Sequence, residues 1–288
     1  MHPAPSVIVF TVLSGLGFGF LAYLNIGLAG GTGIGAFVAF AFGAILAVAG
    51  LLASTFHLGR PDRAWRAFTQ WRTSWLSREG WVSCAALFAS LPVALGVLGG
   101  ERPGLWGVIA AVLCLGTVFC TSMIYAQLKT VPRWNNWTTP VVFMLFALTG
   151  GAIIALLQGL GIALSVALAA WQAFAFYEGD KRFRERGATL GTATGLGEIG
   201  SIRVFEQPHT GSNYLMREMI HVVGRKHSRK LRVIAVVALA LPALLMAAVP
   251  GFVGVVLALI CHLLGAFVAR WLFFAEAEHV VGLYYGMR

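Results

Sequence analysis

Eight long runs of apolar residues occupy most of the chain and limit what it can fold into. The hydrocarbon core of a membrane is about 30 Å thick, and a helix needs roughly 20 apolar residues to cross it. Since no water reaches that core, each span must satisfy its own backbone hydrogen bonds, which favours helix. The runs lack the alternation of apolar and polar residues that barrel strands show. The sequence therefore predicts an all-α integral membrane protein, an eight-transmembrane-helix bundle that forms one membrane domain over 1–288.

The predicted spans are 6–29, 33–56, 80–99, 104–127, 139–158, 160–177, 231–249 and 252–275. The whole chain is 58% hydrophobic with a mean hydropathy of +0.80, values above those of soluble domains. The first run is not favoured as a signal peptide, because it lacks a basic n-region and is about twice as long as an h-region. It is therefore predicted to be the first membrane helix.

The basic residues indicate which face of the membrane is cytoplasmic. If the helices alternate in direction, both termini and the loops after the second, fourth and sixth helices share one face. Of the 21 lysines and arginines, only Arg102 lies on the opposite face, and Arg270 lies within the eighth helix. Because cytoplasmic loops carry the excess of lysine and arginine in membrane proteins, both termini and the long basic loop 178–230 are predicted to be cytoplasmic.

The long basic loop contains one stretch with helical periodicity. Apolar side chains at Leu215, Met219 and Val223 recur with charged residues between them, and Ser212 is a suitable N-cap. The pattern predicts a short amphipathic helix over 212–223 that lies on the membrane surface or against a partner protein.

A second basic region, the arginine-rich segment, follows the second predicted helix. It is "STFHLGRPDRAWRAFTQWRTSWLSREG", residues 54–80. Its charges would steer an acidic partner protein towards it, and its aromatic side chains would anchor that partner. Binding to anionic lipid head groups is the alternative. The predicted docking residues, two of which follow the fourth helix, are Arg63, Trp65, Arg66, Trp71, Arg72, Trp75, Arg133 and Trp134.

Polar residues gather at the helix ends on the predicted cytoplasmic face, and the opposite face has no matching set. Glu276 and His279 are three residues apart and are predicted to share a helix face. Such a set suits proton-coupled electron transfer to a quinone, because histidine can hydrogen-bond a quinone oxygen and carboxylates can relay protons to water. The predicted catalytic residues are His57 and Glu79, and the predicted quinone-binding residues are His57, Arg60, Glu79, Tyr125, Arg270 and His279.

The sequence offers no motif for a tightly bound redox cofactor. Its four cysteines all lie within the predicted spans and form no CxxC pattern, which argues against an iron–sulfur or structural zinc site. A bis-histidine haem needs two histidines at matched depth, and only His262 lies well inside a span. Electrons would therefore come from a cofactor of a partner, with ubiquinone or menaquinone as the exchangeable substrate. We expect contacts with proteins and membrane lipids, and none with nucleic acid.

Three motifs resemble one known family. "FHLGRPDRAWRAF" with "SWLSRE" after it, "TVPRWN" after helix four and the tail "GAFVARWLFFAEAEHVVGLYYGM" are similar to regions of the anchor subunits of the dimethyl sulfoxide reductase family. The resemblance implies a subunit that holds a molybdopterin catalytic subunit and an iron–sulfur subunit with [4Fe–4S] clusters at the membrane. It also implies electron exchange with quinone, with the family's quinol-site histidine at His57 and its acidic residue at Glu79.

The charge pattern departs from the familiar dimethyl sulfoxide reductase anchor, whose positive loops lie on the face opposite the histidine. Here they lie on the same face as His57, so both partner subunits are expected in the cytoplasm. In this the chain is most similar to the membrane subunit of cytoplasmic sulfite dehydrogenases, which implies electron flow from sulfite to quinone in a bacterial cytoplasmic membrane. An anchor that oxidises quinol for a dimethyl sulfoxide or N-oxide reductase, and a purely structural anchor, are the alternatives.

Overall fold

The computed structural model describes residues 1–58, 60–206, 209, 211, 213–220 and 226–286, without the side chains of His57 and Pro61. Within these ranges the chain is helical and contains no strand. The helices are α1 Pro5–Asn25, α2 Ile34–Ala53, α3 Trp75–Leu98, α4 Leu105–Ala126, α5 Thr138–Ile154, α6 Gln158–Glu185, α7 Leu190–Thr194, α8 Ser228–Ala248 and α9 Gly251–Ala275. Short 3-10 helices cover Ser54–His57, Pro61–Phe68 and Val280–Tyr285.

Seven of the described helices are long and apolar enough to cross a membrane, namely α1, α2, α3, α4, α6, α8 and α9. The prediction of an all-helical membrane protein is therefore confirmed. Each of the eight predicted runs forms a helix, but α5 has only 17 residues. At 1.5 Å per residue it extends about 25 Å, which is less than the thickness of a typical hydrocarbon core.

Two helices are longer than their apolar runs. α3 begins at Trp75 and α6 continues to Glu185, beyond the predicted 80–99 and 160–177. In α6 the extension carries an ion pair between Arg182 and Glu178, one turn apart with 2.8 Å between Nη2 and Oε1. Pairs at this spacing stabilise a helix in water, so the helix does not end where its apolar residues end.

The predicted amphipathic helix 212–223 is described only in part. Leu215–Met219 forms a π-helical turn, and the Met216 amide donates a hydrogen bond of 2.9 Å to Asn213 Oδ1. Ser212 and residues 221–225 lie outside the described residues.

Helix α1 lies at the centre of the bundle and packs against α2, α4, α5 and α9. Two of its glycines permit this close packing. A Cβ on Gly17 would collide with the backbone of Ala47 in α2, and a Cβ on Gly19 would collide with Ala147 in α5. Small residues of this kind let membrane helices approach closely where no hydrophobic effect drives them together.

The first residue of the chain and the segment that follows α9 lie together at one end of the bundle, which we call the terminal end. The Met1 ammonium donates to the Ala277 carbonyl at 2.8 Å, and the Val280 amide donates to the Thr130 carbonyl at 3.0 Å. The loop between α4 and α5 therefore lies beside the segment that follows α9. Most of the predicted site residues lie at this end.

Candidate functional site

At the terminal end, two arginines each form ion pairs with the same two carboxylates. We call these four residues the ion network: Arg133, Arg232, Asp180 and Glu276. Arg232 binds Glu276 through Nε at 2.6 Å and Asp180 through Nη1 at 2.7 Å. Arg133 bridges the same two carboxylates. The network joins the α4–α5 loop to α6, α8 and the end of α9, so Arg133, a predicted docking residue, is engaged within its own chain.

Beside the network lies an aromatic cluster that contains two predicted site residues. Trp134 is only 2% exposed, its indole donates to the Phe273 carbonyl at 2.8 Å, and its ring stacks on Phe273 with 5.2 Å between centroids. Tyr125 is also buried and packs edge-on against Trp134 and Phe273. Trp134 is therefore a packing residue inside the protein, and its side chain does not reach the surface.

Arg270 is buried among aromatic rings, and only 3% of its surface is exposed. Its guanidinium lies 3.5 Å from the ring centroid of Phe143 and 4.9 Å from that of Phe146. It forms no ion pair with any carboxylate that the structure describes. Contact with ring faces attracts a cation, but a charge at this depth in a membrane remains costly unless water or another polar group reaches it.

Glu79 is the buried carboxyl of the site, 3% exposed on the second turn of α3. Thr121 of α4 donates a hydrogen bond to its Oε1. No ion pair to Glu79 occurs within the described residues. A buried carboxyl without a cation is a group that can take up and release a proton, which suits the predicted relay role.

Two small cavities lie around Arg270. The first, of about 20 Å³, is lined by Thr121, Phe143, Phe146 and His262 among others. The second, of about 40 Å³, lies on the other side of Arg270 and is bounded by Gln172 and by the ion network. Cavities of this size hold one or a few water molecules. The structure thus brings Glu79 and Arg270 to one region, but neither cavity holds a quinone ring.

Two further predicted site residues, Arg60 and His279, are not joined to this region by any hydrogen bond or ion pair among the described residues. Arg60 is exposed and binds Asp62 at 3.3 Å. His279 is half-buried, and its Nδ1 accepts from the Val281 amide at 3.0 Å, which caps the last 3-10 helix. Burial lowers the pKa of His279, and the N-terminal ammonium acts in the same direction. His57 ends a 3-10 turn, but its side chain lies outside the described part.

The prediction that Glu276 and His279 share a helix face is wrong. Helix α9 ends at Ala275, so Glu276 caps the helix and His279 lies beyond it in extended backbone. Glu276 pairs with Arg133 and Arg232, which the sequence places far away.

The arginine-rich segment presents most of the predicted docking residues at the surface. Trp65 is 62% and Trp71 56% exposed, and each lies beside the guanidinium of the following arginine, at 5.6 Å and 5.5 Å. Arg63 is exposed as well. Trp75 is half-buried, with Arg78 over its ring at 4.3 Å.

Sequence reasoning missed Thr121, Asp180, Arg232 and Gln172. The first three take their places through contacts with distant parts of the chain, Gln172 lines a cavity, and none of the four stands in a motif. A signal was available only for Asp180, which lies among basic residues at the end of α6. Its partners Arg133 and Arg232 are 47 and 52 residues away.

An all-helical membrane protein with a buried carboxyl and a buried arginine near one end is the class of protein that the fold and site define. The chain belongs to the DMSO reductase anchor subunit (DmsC) family, whose model matches residues 1–287. The resemblance seen in the sequence motifs is thereby confirmed, and the protein is a membrane anchor subunit of a DMSO reductase-type family.

The relatives differ in how much of the sequence they cover. A sulfite dehydrogenase subunit of Allochromatium vinosum is 30% identical over 329 aligned positions, which cover 99% of both proteins. Anaerobic dimethyl sulfoxide reductase chain YnfH of Escherichia coli is 30% identical over 112 residues, 37% of this protein and 38% of that one. A second anaerobic dimethyl sulfoxide reductase chain of Escherichia coli is 30% identical over 111 residues, 36% of this protein and 38% of the other.

Proposed function

We propose that this chain is the quinone-reactive membrane anchor of a heterotrimeric molybdopterin and iron–sulfur oxidoreductase. It would pass electrons between a [4Fe–4S] cluster of a partner and the quinone pool of a bacterial cytoplasmic membrane, during the oxidation of sulfite to sulfate. The observation that carries the quinone role is the buried Glu79 carboxyl, held by Thr121 and unpaired with any described cation. A purely structural anchor has no use for such a group.

The similarity to the sulfite dehydrogenase subunit of Allochromatium vinosum favours sulfite as the electron donor, because it covers 99% of both proteins. The similarity to the dimethyl sulfoxide reductase chains of Escherichia coli covers little more than a third. A dimethyl sulfoxide or N-oxide reductase anchor would use the same residues with electrons running from quinol, and it is the second candidate.

The proposal includes eight crossings with both termini in the cytoplasm. Met1 bonds to Ala277 beyond α9, and a chain that begins and ends at one end of a bundle crosses an even number of times. Arg182 near the end of α6 donates to Asn136 before α5 at 3.1 Å, so α5 and α6 lead away from the terminal end and back. Tilt, or local thinning of the bilayer, accommodates a short helix such as α5. The basic residues at this end support a cytoplasmic location.

At the site, we assign His57 to a hydrogen bond with one quinone oxygen and Glu79 to proton transfer. Reduction of a quinone takes two electrons, from the partner cluster, and two protons, and it forms two O–H bonds. The ring must lie outside the two cavities beside Arg270, because these accommodate only water. Tyr125 and Arg270 are buried like Glu79, and both are secondary candidates together with Arg60 and His279.

Docking of the iron–sulfur subunit is assigned to the exposed part of the arginine-rich segment, with the molybdopterin subunit beyond it in the cytoplasm. The docking surface consists of Arg63, Trp65, Arg66, Trp71 and Arg72. Arg133 and Trp134 are left out, because their contacts lie within the protein itself. Trp75 lies at the edge of this surface.

Substitutions in the assembled complex test the quinone role. His57→Ala is expected to lower quinone-dependent turnover by about 10²–10⁴-fold, the usual effect of losing a positioned acid–base group. Turnover with a soluble dye should persist, because a dye takes electrons from the clusters directly. Glu79→Gln should slow quinone turnover less, since water can partly replace a relay. His227→Ala, at an exposed histidine of the long loop, is the control. Equal loss of both activities would make His57 structural, and full quinone turnover would place the site elsewhere.

A further inference from the structure

The two cavities beside Arg270 follow one face of α9. The first is lined by His262, Ala266 and Arg270, and the second by Ala269, Arg270, Phe273 and Glu276. These positions recur every three or four residues, so they share a face of the helix. From His262 to Arg270 the helix rises about 12 Å. The small side chains of Ala266 and Ala269 leave the space that the cavities occupy.

Each cavity is lined by a residue that has a buried polar atom without a partner. His262 lines the first cavity and Gln172 the second, and neither His262 Nδ1 nor Gln172 Oε1 has a hydrogen-bond partner within the described residues. Arg270 lies between them without a carboxylate. A buried polar group without a hydrogen-bond partner destabilises a fold. Buried water commonly satisfies such groups, and both cavities have room for it.

The cavities lead to carboxyl groups at both ends. Thr121 lines the first cavity and donates to Glu79. Glu276 and Arg133 line the second, and both belong to the ion network at the terminal end of the bundle. Phe146 lines both cavities and, together with Arg270, forms the partition between them.

We propose that water fills both cavities and carries protons along the face of α9 between Glu276 and Glu79. Arg270 stays protonated and acts as a positioning residue that donates hydrogen bonds to water on both sides of the Phe146 partition. The proton crosses when the Phe146 ring turns aside and the two waters come into hydrogen-bond contact, so that it passes from water to water and not through the guanidinium. The path would supply the two protons that a quinone takes up with two electrons from the partner cluster. Glu79 as the destination rests on the proposed function, whereas the presence of water in the cavities does not.

Radiolytic hydroxyl labelling of the intact complex, read by mass spectrometry, tests the water directly. Bound water that is activated in place oxidises the side chains beside it. Phe143 and Phe146 line the first cavity, and Phe10 and Phe274 are equally buried but line neither. We expect labelling of Phe143 and Phe146 and little labelling of Phe10 and Phe274. Equal labelling of the two pairs would overturn the hydrated path, whatever the quinone activity.

Filling a cavity tests the proton role. Ala266→Leu should lower the labelling of Phe143 to that of the controls, and it should slow quinone-dependent turnover roughly tenfold or more with a larger solvent isotope effect. Turnover with a dye should persist. Leu264→Phe, which adds bulk on the exposed side of the same helix, should change neither. If Ala266→Leu impairs assembly, Ala269→Leu fills the second cavity instead.

The outcomes separate this proposal from the proposed function. Loss of label with unchanged quinone turnover would show that the water is not on the proton route and would overturn the proposal. A wild-type complex that labels at Phe143 and Phe146 but does not turn over quinone would overturn the proposed function and leave the hydration standing.

Discussion

The two groups of arginines near the terminal end of the bundle have opposite surroundings. In the ion network, Arg133 and Arg232 share two carboxylates, and their side chains are mostly buried. In the arginine-rich segment, Arg60 and Arg63 share the single carboxylate of Asp62, and all three side chains are at least half exposed. Arg66 and Arg72 lie beside tryptophan rings. The first group holds the fold together, and the second leaves positive charge and aromatic surface available to another molecule.

The role of each arginine therefore depends more on whether the fold brings carboxylates close to it than on its neighbours in the sequence. "RPDRAWRAF" and "VPRWNN" both combine arginine with tryptophan. Only Arg133 of the second meets Asp180 and Glu276, which come from other helices. A half-buried cation that pairs with a buried carboxylate and a second one at the surface stabilises the fold, and an exposed cation with a shared partner contributes little to it.

The largest expected effect on the fold comes from removing a carboxylate of the ion network. Glu276→Ala leaves Arg133 and Arg232 with only Asp180, and breaking a buried pair costs about 3 kcal/mol or more. We expect a marked fall in the thermal midpoint of the detergent-solubilised complex and low levels in the membrane. Glu185→Ala, which breaks the more exposed pair with Arg182 at 3.6 Å, is the control and should cost less than about 1 kcal/mol. Similar losses in both variants would contradict the contrast between the two groups.

Charge reversal in the arginine-rich segment should act on assembly and spare the fold. Replacing Arg63, Arg66 and Arg72 with glutamate should release the partner subunits from the membrane, since close charge pairs at an interface are each worth about 1.5–7 kcal/mol. The anchor itself should stay in the membrane at normal levels. Sedimentation of the catalytic activity with washed membranes measures the effect.

The matched control reverses Arg184, Arg186 and Arg203, which are equally exposed and lie in the long basic loop. Catalytic subunits that stay with the membrane in the first variant would make the arginine-rich segment a lipid-binding surface. If the catalytic subunits leave the membrane in both variants, the whole basic face attracts the partner and no single segment is its binding site.

The sequence predicted the helices well and their partners poorly. Runs of about 20 apolar residues define spans because the bilayer demands them. The predicted end of α6 was too early, because the helix continues past its apolar residues into a charged stretch where Arg182 pairs with Glu178. Glu79 stood out as a carboxyl at the edge of a span, whereas its partner Thr121 depends on how α3 and α4 face each other. Trp134 was predicted to lie on the docking surface but is buried, because the sequence of a loop does not tell whether its tryptophan faces water or the protein interior.

A single aromatic anchor should matter less than the three charges together. Trp71→Ala is expected to weaken binding of the partner subunits by about 2 kcal/mol, the effect of losing an interface hot spot. The salt concentration that strips the partners from the membrane should therefore fall. Trp106→Ala, at a similarly exposed tryptophan in the first turn of α4, is the control. If the salt concentration that strips the partners is the same in Trp71→Ala as in the wild type, the aromatic residues do not contribute to the docking surface.

The smallest expected effect has the opposite sign. Asp62 is the carboxylate that Arg60 and Arg63 share, at 3.3 Å and 3.8 Å, and all three side chains are in contact with water. Asp62→Asn removes that carboxylate, and because exposed pairs are worth about 0.2–1 kcal/mol, the stability of the anchor should hardly change. The freed arginines would attract an acidic partner more strongly, so the salt concentration needed to strip the partner subunits should rise slightly. Loss of a carboxylate from the ion network should destabilise the fold, whereas loss of Asp62 should strengthen the binding of the partner subunits to the arginine-rich segment. A thermal midpoint that fell as far as in Glu276→Ala would show that Asp62 organises the segment, and the segment would then belong with the ion network as part of the fold.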